Sequence, residues 1–184
     1  MLLIRMSQSQ FRELSLLNQY LNQHQMTWVS SHVLAVETED NNKNEVLAVF
    51  KAILQEGYNE LTVLISYQAD DFSLYLLNLL HLSYPGKVYP LGDGFLIANS
   101  VGDAQLLNKA QQLYASFPQD LMNVVNCYCY HQGSLNACAQ ALYLHRNTIN
   151  LKINQFILET NIDLRDFEIR WFMRILKTLL FGVQ

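Results

Sequence analysis

The stretch from Gly133 to Ile153 constrains this chain more than any other. Ser134 is a good N-cap for a helix, and Gly133 before it is a good stop for the preceding one. Leu135, Cys138 and Leu142 share one face at helical spacing, and Ala139 is small where a second helix must cross closely. Leu144 is expected in a turn, plugging the core between two helices, with His145 at the start of the second. Ile149 and Ile153 would hold that second helix down. This leaves Arg146, Asn147, Asn150, Leu151 and Asn154 outside. The pattern predicts a helix-turn-helix whose second helix enters a DNA major groove by its first turn. Two short amphipathic helices joined by a turn also occur in many helical domains that never meet DNA.

Charge divides the chain in two. Residues 1–117 carry 6 Lys+Arg against 11 Asp+Glu, and residues 118–184 carry 6 against 5, within a net charge of −4. An acidic front and a near-neutral back fit a sensor or dimerisation domain joined to a different module, without a strong basic footprint. An apolar share of 51% excludes global disorder. Three cysteines argue against a secreted disulfide framework. Met1–Met6 has too short an apolar run for a signal segment, and no stretch approaches membrane-spanning length. The expected location is cytoplasmic.

Residues 1–117 read as an α/β domain and residues 118–184 as an all-helical one, so the fold class is a two-part α+β chain. Ser7–Gln10 resembles a capping box, followed by an amphipathic helix through Phe11, Leu14 and Leu21 to about His24. Strands are expected over Trp28–Glu37 and Leu61–Tyr67, with a polar loop Thr38–Asn44 and helices Glu45–Gln55, Phe72–Leu82 and Asp103–Phe117. Gly92-Asp93-Gly94, flanked by Lys87–Leu91 and Phe95–Ala98, predicts a β-hairpin, with Pro90 pushing its first strand to an edge. In the back half, Leu121, Val124, Val125 and Tyr128 line one face of a helix that opens near Pro118 and ends at Gly133. Asn161–Arg165 reads as a linker. A last helix, about Asp166–Phe181, carries the stripe Phe167, Trp171, Ile175 and Leu179, widened by Phe172, Leu176 and Leu180.

Catalytic and metal chemistry is poorly represented. Cys127, Cys129, His131 and Cys138 lie close in sequence, but no second ligand pair follows at zinc-finger distance, and small buried cysteines are common core fillers. Glu37, Glu39 and Asp40 follow a strand, where a carboxylate cluster could hold a metal; an ordinary solvated loop explains them as well. Asp70 and Asp71 suit a helix N-terminus better than an acid/base pair. No nucleophile motif, no His-Glu-x-x-His and no Walker loop occurs. The expectation is a non-enzyme without cofactor or metal.

Ala139-Gln140-Ala141-Leu142-Tyr143-Leu144-His145-Arg146-Asn147-Thr148-Ile149, followed by Glu159-Thr160-Asn161-Ile162-Asp163-Leu164-Arg165-Asp166, resembles the C-terminal helix-turn-helix of the PucR-type regulators. That family includes regulators of purine catabolism and of sugar-diacid use. The resemblance covers roughly residues 120–180. It implies a bacterial transcription regulator that binds double-stranded DNA as a homodimer, with no membrane partner and an effector it does not name. The implied DNA-facing residues are His145, Arg146, Asn147, Thr148, Asn150, Leu151 and Lys152. Arg146 can bond guanine, Asn147 or Asn150 can pair with adenine, Leu151 can touch a thymine methyl, and Lys152 faces phosphate. Ser134 and Thr148 are expected to support helix starts. Family members commonly carry Arg or Lys after His-Arg-Asn-Thr; here those positions read Asn150, Leu151, Lys152, Asn154 and Gln155. The front domain implied is a diverged GGDEF-like one, on the likeness of Leu91-Gly92-Asp93-Gly94-Phe95-Leu96 to the Gly-Gly-Asp-Glu-Phe hairpin, with the acid at the fourth position missing. The second reading is a helix-turn-helix that has lost DNA binding and serves protein–protein association.

Overall fold

The computed structural model describes residues 1–6, 21, 24–38, 40–58 and 60–182. They form two compact units, Met1–Gly102 and Asp103–Gln184. The expected capping box and the helix that follows it lie outside the described residues, apart from Leu21 and His24; Leu21 is buried in the core.

The first unit is built on a five-stranded sheet. Its strands are β1 (Leu2–Arg5), β2 (Gln25–Ser30), β3 (Val33–Glu37), β4 (Thr62–Ile65) and β5 (Val88–Pro90), in the order β2-β3-β1-β4-β5. The central strand β1 pairs antiparallel with β3 and β4, Leu3 lying opposite Ala35 and Leu64. It comes from the short apolar run at the start of the chain. That run alternates no polar residues because both faces of the strand are covered. On one face Leu2 and Ile4 join Leu34, Val36 and Val63 beneath Val46, Phe50 and Ile53 of α1 (Asp40–Gln55). On the other, α2 (Asp71–Ser83) packs against β1 and β4 and buries Phe72, Leu76, Leu77 and Leu80. Asp70 caps α2, its Oδ1 accepting from the Ser73 N–H at 2.7 Å while Oδ2 accepts from the Tyr67 hydroxyl.

Several expectations are corrected here. Trp28–Glu37 is not one strand: Ser31 and His32 turn the chain so that β2 and β3 form an antiparallel hairpin. The helix expected at Glu45 begins at Asp40, so the loop is short. Of the acidic cluster, Glu37 is exposed at the end of β3, and Glu39 lies outside the described residues.

The expected hairpin around Gly92-Asp93-Gly94 is absent. β5 is an edge strand, parallel to β4, and Pro90 leads directly into α3 (Leu91–Asn99). Leu91, Phe95 and Ala98 recur at helical spacing on its buried face, which outweighs the turn-like glycines. Gly94 serves close packing: a Cβ there would come within 3.0 Å of Leu80 Cδ1 and 3.3 Å of Leu64 Cδ1. The likeness to a GGDEF hairpin therefore falls on a helix.

The second unit holds α4 (Ala104–Ser116), α5 (Met122–Tyr130), α6 (Leu135–Leu142), α7 (Arg146–Thr160) and α8 (Phe167–Phe181). Its start moves the expected boundary from Pro118 back to Asp103, because α4 packs with α8. Tyr114 meets Phe181 at 4.9 Å between ring centroids, and its hydroxyl accepts from Asn126 Nδ2 at 3.0 Å. Phe117 stacks edge-on to Phe156 at 5.6 Å. On α8 the buried line is Ile169, Phe172, Met173, Ile175 and Leu176. The expected stripe is rotated: Phe167 is 61% exposed and Trp171 is half-buried. Both lie beside a cavity of about 150 Å³ that is also lined by Cys129, Gln132, Arg170 and Arg174.

Candidate nucleic-acid interface

The helix pair forms as its sequence predicts, with differences in how each end is closed. Ser134 caps α6, its Oγ accepting from the Ala137 N–H at 3.3 Å. The end of α5 before it uses Gln132 as well as Gly133 in the left-handed region. The Gln132 N–H bonds Cys129 O and the Gly133 N–H bonds Tyr128 O, which satisfies two carbonyls at the helix end. Beside this turn a Cβ on Gly133 would lie 3.2 Å from Arg170 Cζ. Arg170 in turn donates from Nη1 to Leu164 O and Arg165 O.

α6 ends in the same way. Tyr143 takes φ +54°, its N–H bonds Gln140 O, and the Leu144 N–H bonds Ala139 O at 3.0 Å. Glycine usually fills this position because a Cβ is penalised there. Tyr143 is also 95% exposed, so the turn presents an aromatic ring to solvent. Leu144, expected to plug the core, is exposed. Once Cys138, Ile149, Ile153 and Phe156 fill the space between the helices, the core has no need of it.

The start of α7 corrects a role. The cap is His145 and not Thr148: His145 Nδ1 accepts from the Asn147 N–H at 3.2 Å. Thr148 is half-buried in the first turn, with its N–H on His145 O. An accepting Nδ1 leaves Nε2 as the protonated nitrogen of the exposed ring, a donor for an anion.

The buried line Ile149, Ile153 and Phe156 fixes the orientation of α7. Arg146, Asn147, Asn150 and Leu151 are all exposed. A helix turns about 100° per residue, so Asn147, Leu151, Asn154 and Leu158 fall along one outward strip. Lys152 is half-buried on the flank, roughly 140° around the axis from Asn147. Leu151 and Leu158 are 67% and 85% exposed. Five of the seven residues expected to face DNA, His145, Arg146, Asn147, Asn150 and Leu151, are therefore exposed on α7 or its cap, and Thr148 and Lys152 are half-buried on its flank.

The segment after α7 is more ordered than a linker. Asn161 closes the helix at φ +57°, a conformation its short polar side chain tolerates. Ile162 and Leu164 are buried. Asp163 Oδ1 accepts from the Arg165 N–H at 2.9 Å, and Asp166 caps α8 by accepting from the Glu168 N–H at 2.8 Å. Arg165 Nη2 donates to Asn154 Oδ1 at 2.6 Å, tying the segment to the outward strip of α7. Motif reading singled out neither this contact nor Tyr143. Arg165 is eleven positions from its partner, and only the fold brings them together.

The cysteines sit in the packing between helices. Cys138 Sγ lies 3.9 Å from Val124 O, and burial pushes the Cys129 thiol up to about 12 despite Arg170 and Arg174 nearby. A thiol so raised is a poor nucleophile and a poor metal ligand. Among the described residues no group of three or more His, Cys, Asp or Glu could hold a metal ion, and no helix is long and apolar enough to cross a membrane.

No curated protein matches the chain. The C-terminal unit carries a known kind of domain: residues 121–173, from the residue before α5 into α8, match the family model described as the PucR C-terminal helix-turn-helix domain.

Proposed function

We propose that this protein is a DNA-binding transcription regulator that reads duplex DNA through the first turns of α7. The observation that carries the reading is the arrangement of α7 within the segment that matches the PucR-type domain. Ile149, Ile153 and Phe156 anchor one side, and Arg146, Asn147 and Asn150 stand free on the other. None of these three side chains makes a hydrogen bond to another described residue. Arg146 suits guanine O6 and N7, and the two asparagines suit adenine. His145 Nε2 and Lys152 reach toward phosphate, and Leu151 offers a contact for a thymine methyl. A homodimer would set two such helices one DNA turn apart, about 34 Å.

The test is selection of duplexes from a randomised library by the purified protein, repeated with Arg146→Ala. The wild-type chain should enrich a sequence with half-sites about one turn apart. The variant should lose about 1–3 kcal/mol of discrimination at one position. Failure of the wild-type chain to retain any duplex at low salt would sink the reading.

A second reading rests on Leu151 and Leu158, two turns apart on α7 and largely exposed. An apolar pair at this spacing suits a partner helix. Under this reading Leu151→Ser with Leu158→Ser converts an associated species to a lighter one in sedimentation, and DNA has no influence on either.

A further inference from the structure

We infer that Arg165 is a DNA-phosphate anchor of this helix-turn-helix, supplied from outside the recognition helix; the inference rests on the DNA-binding reading above. Beyond its first turn α7 has one basic residue, Lys152, and that lies on the flank. The outward strip itself is uncharged: Asn147, Leu151, Asn154 and Leu158. Non-specific affinity for duplex DNA comes almost wholly from phosphate neutralisation, so a strip of this kind needs a cation from elsewhere.

Arg165 is placed to be that cation. Its Nη2 donates to Asn154 Oδ1 at 2.6 Å, which holds the guanidinium against the strip at Asn154. Asn154 is seven residues beyond Asn147, so Arg165 sits roughly 10 Å farther along the helix axis. The major groove is about 12 Å wide. With Asn147 at base edges, a group displaced by that distance reaches the groove's rim, where the phosphates run.

The side chain is also held and available. Buried Leu164 and the bond from the Arg165 N–H to Asp163 Oδ1 fix its backbone. The side chain remains 58% exposed, and one donor on Asn154 leaves most of the guanidinium fork free. Its ion pair with Asp163, at 4.0 Å and with both partners exposed, is of the weak kind that a phosphate displaces readily. Asn154 thus acts as a positioning residue and Arg165 as the contact.

The experiment measures anisotropy of the full chain on a labelled duplex of randomised sequence, about three helical turns long, from about 50 to 200 mM KCl. Loss of one phosphate contact lowers the slope of log affinity against log salt by about 0.9, so the advantage of wild type over Arg165→Ala should shrink roughly 3.5-fold across that range. Arg165→Lys should keep the slope. Asn154→Ala should weaken binding with the slope retained. Asp163→Asn, which removes a competing carboxylate and leaves Arg165 in place, should tighten binding and covers the case in which Arg165→Ala does not fold. Salt-dependent wild-type binding with an unchanged slope in folded Arg165→Ala, or no tightening by Asp163→Asn, overturns the inference and leaves the DNA reading standing. Absence of any salt-dependent binding by the wild-type chain overturns both.

Discussion

His81 shows how a single side chain ties the first unit to pH. It lies on α2, with Nδ1 3.0 Å from the hydroxyl of fully buried Thr62 on β4. Burial, and then the charge of Arg5 on the central strand, hold its pKa below the ordinary value of 6.5; Glu60 pulls the other way. The folded chain therefore resists a proton that the unfolded chain accepts. Stability should be fully present above about pH 6.5 and should fall as the pH drops toward the lowered native value. His81→Gln keeps a hydrogen-bonding group without a titrating ring. The urea midpoint of wild type should fall between roughly pH 7.5 and 5.5, and the midpoint of the variant should fall less. Equal losses would remove His81 as the cause. Nothing in the sequence foretold this contact, since Thr62 and His81 meet only when α2 packs across β4. The roles of Asp70 and Ser134 were legible because a capping residue acts on its own next turn.

Legibility at the level of elements followed the same division between local and distant causes. α5, α6 and α7 were readable because their apolar spacing and caps agree with the packing they enter. β1 was hidden: a strand covered on both faces shows no alternation, and four residues are too few to declare a period. α3 was misread because two glycines outweighed Leu91, Phe95 and Ala98. Neither Gly92 nor Gly94 takes the positive φ that a two-residue hairpin turn demands. Gly94→Val tests that close packing. Against Leu80, Leu64 and Tyr89, at 3.0 to 3.3 Å from the new Cβ, it should cost about 1–3 kcal/mol by overpacking. Chemical denaturation followed by circular dichroism measures that cost, and a near-neutral result would show that Gly94 is not packed closely against them.

At the scale of the whole molecule, the position of the domain boundary decides what the helix-turn-helix needs in order to stand. The family match begins at Leu121, and composition placed the division at Pro118, yet the compact unit starts at Asp103. The difference is α4 and Phe117. Besides buried Leu106 and Ala110, they contribute aromatic contacts: Tyr114 against Phe181, and Phe117 against Phe156 of α7. The bond from Asn126 to the Tyr114 hydroxyl adds a polar tie to α5. The aromatic contacts join residues dozens of positions apart and the polar one joins residues twelve apart, so no local pattern could reveal them. A fragment of residues 103–184 keeps all of them, and one of residues 118–184 loses all of them. Removing a buried aromatic from a core costs about 3–5 kcal/mol, a large part of the stability of so small a domain. The longer fragment should therefore unfold cooperatively, while the shorter should melt at a much lower temperature or give only a broad transition. Thermal melts followed at the helical band decide it. If residues 118–184 melt as high and as sharply as residues 103–184, α4 is dispensable, and α7 is held by the matched segment alone.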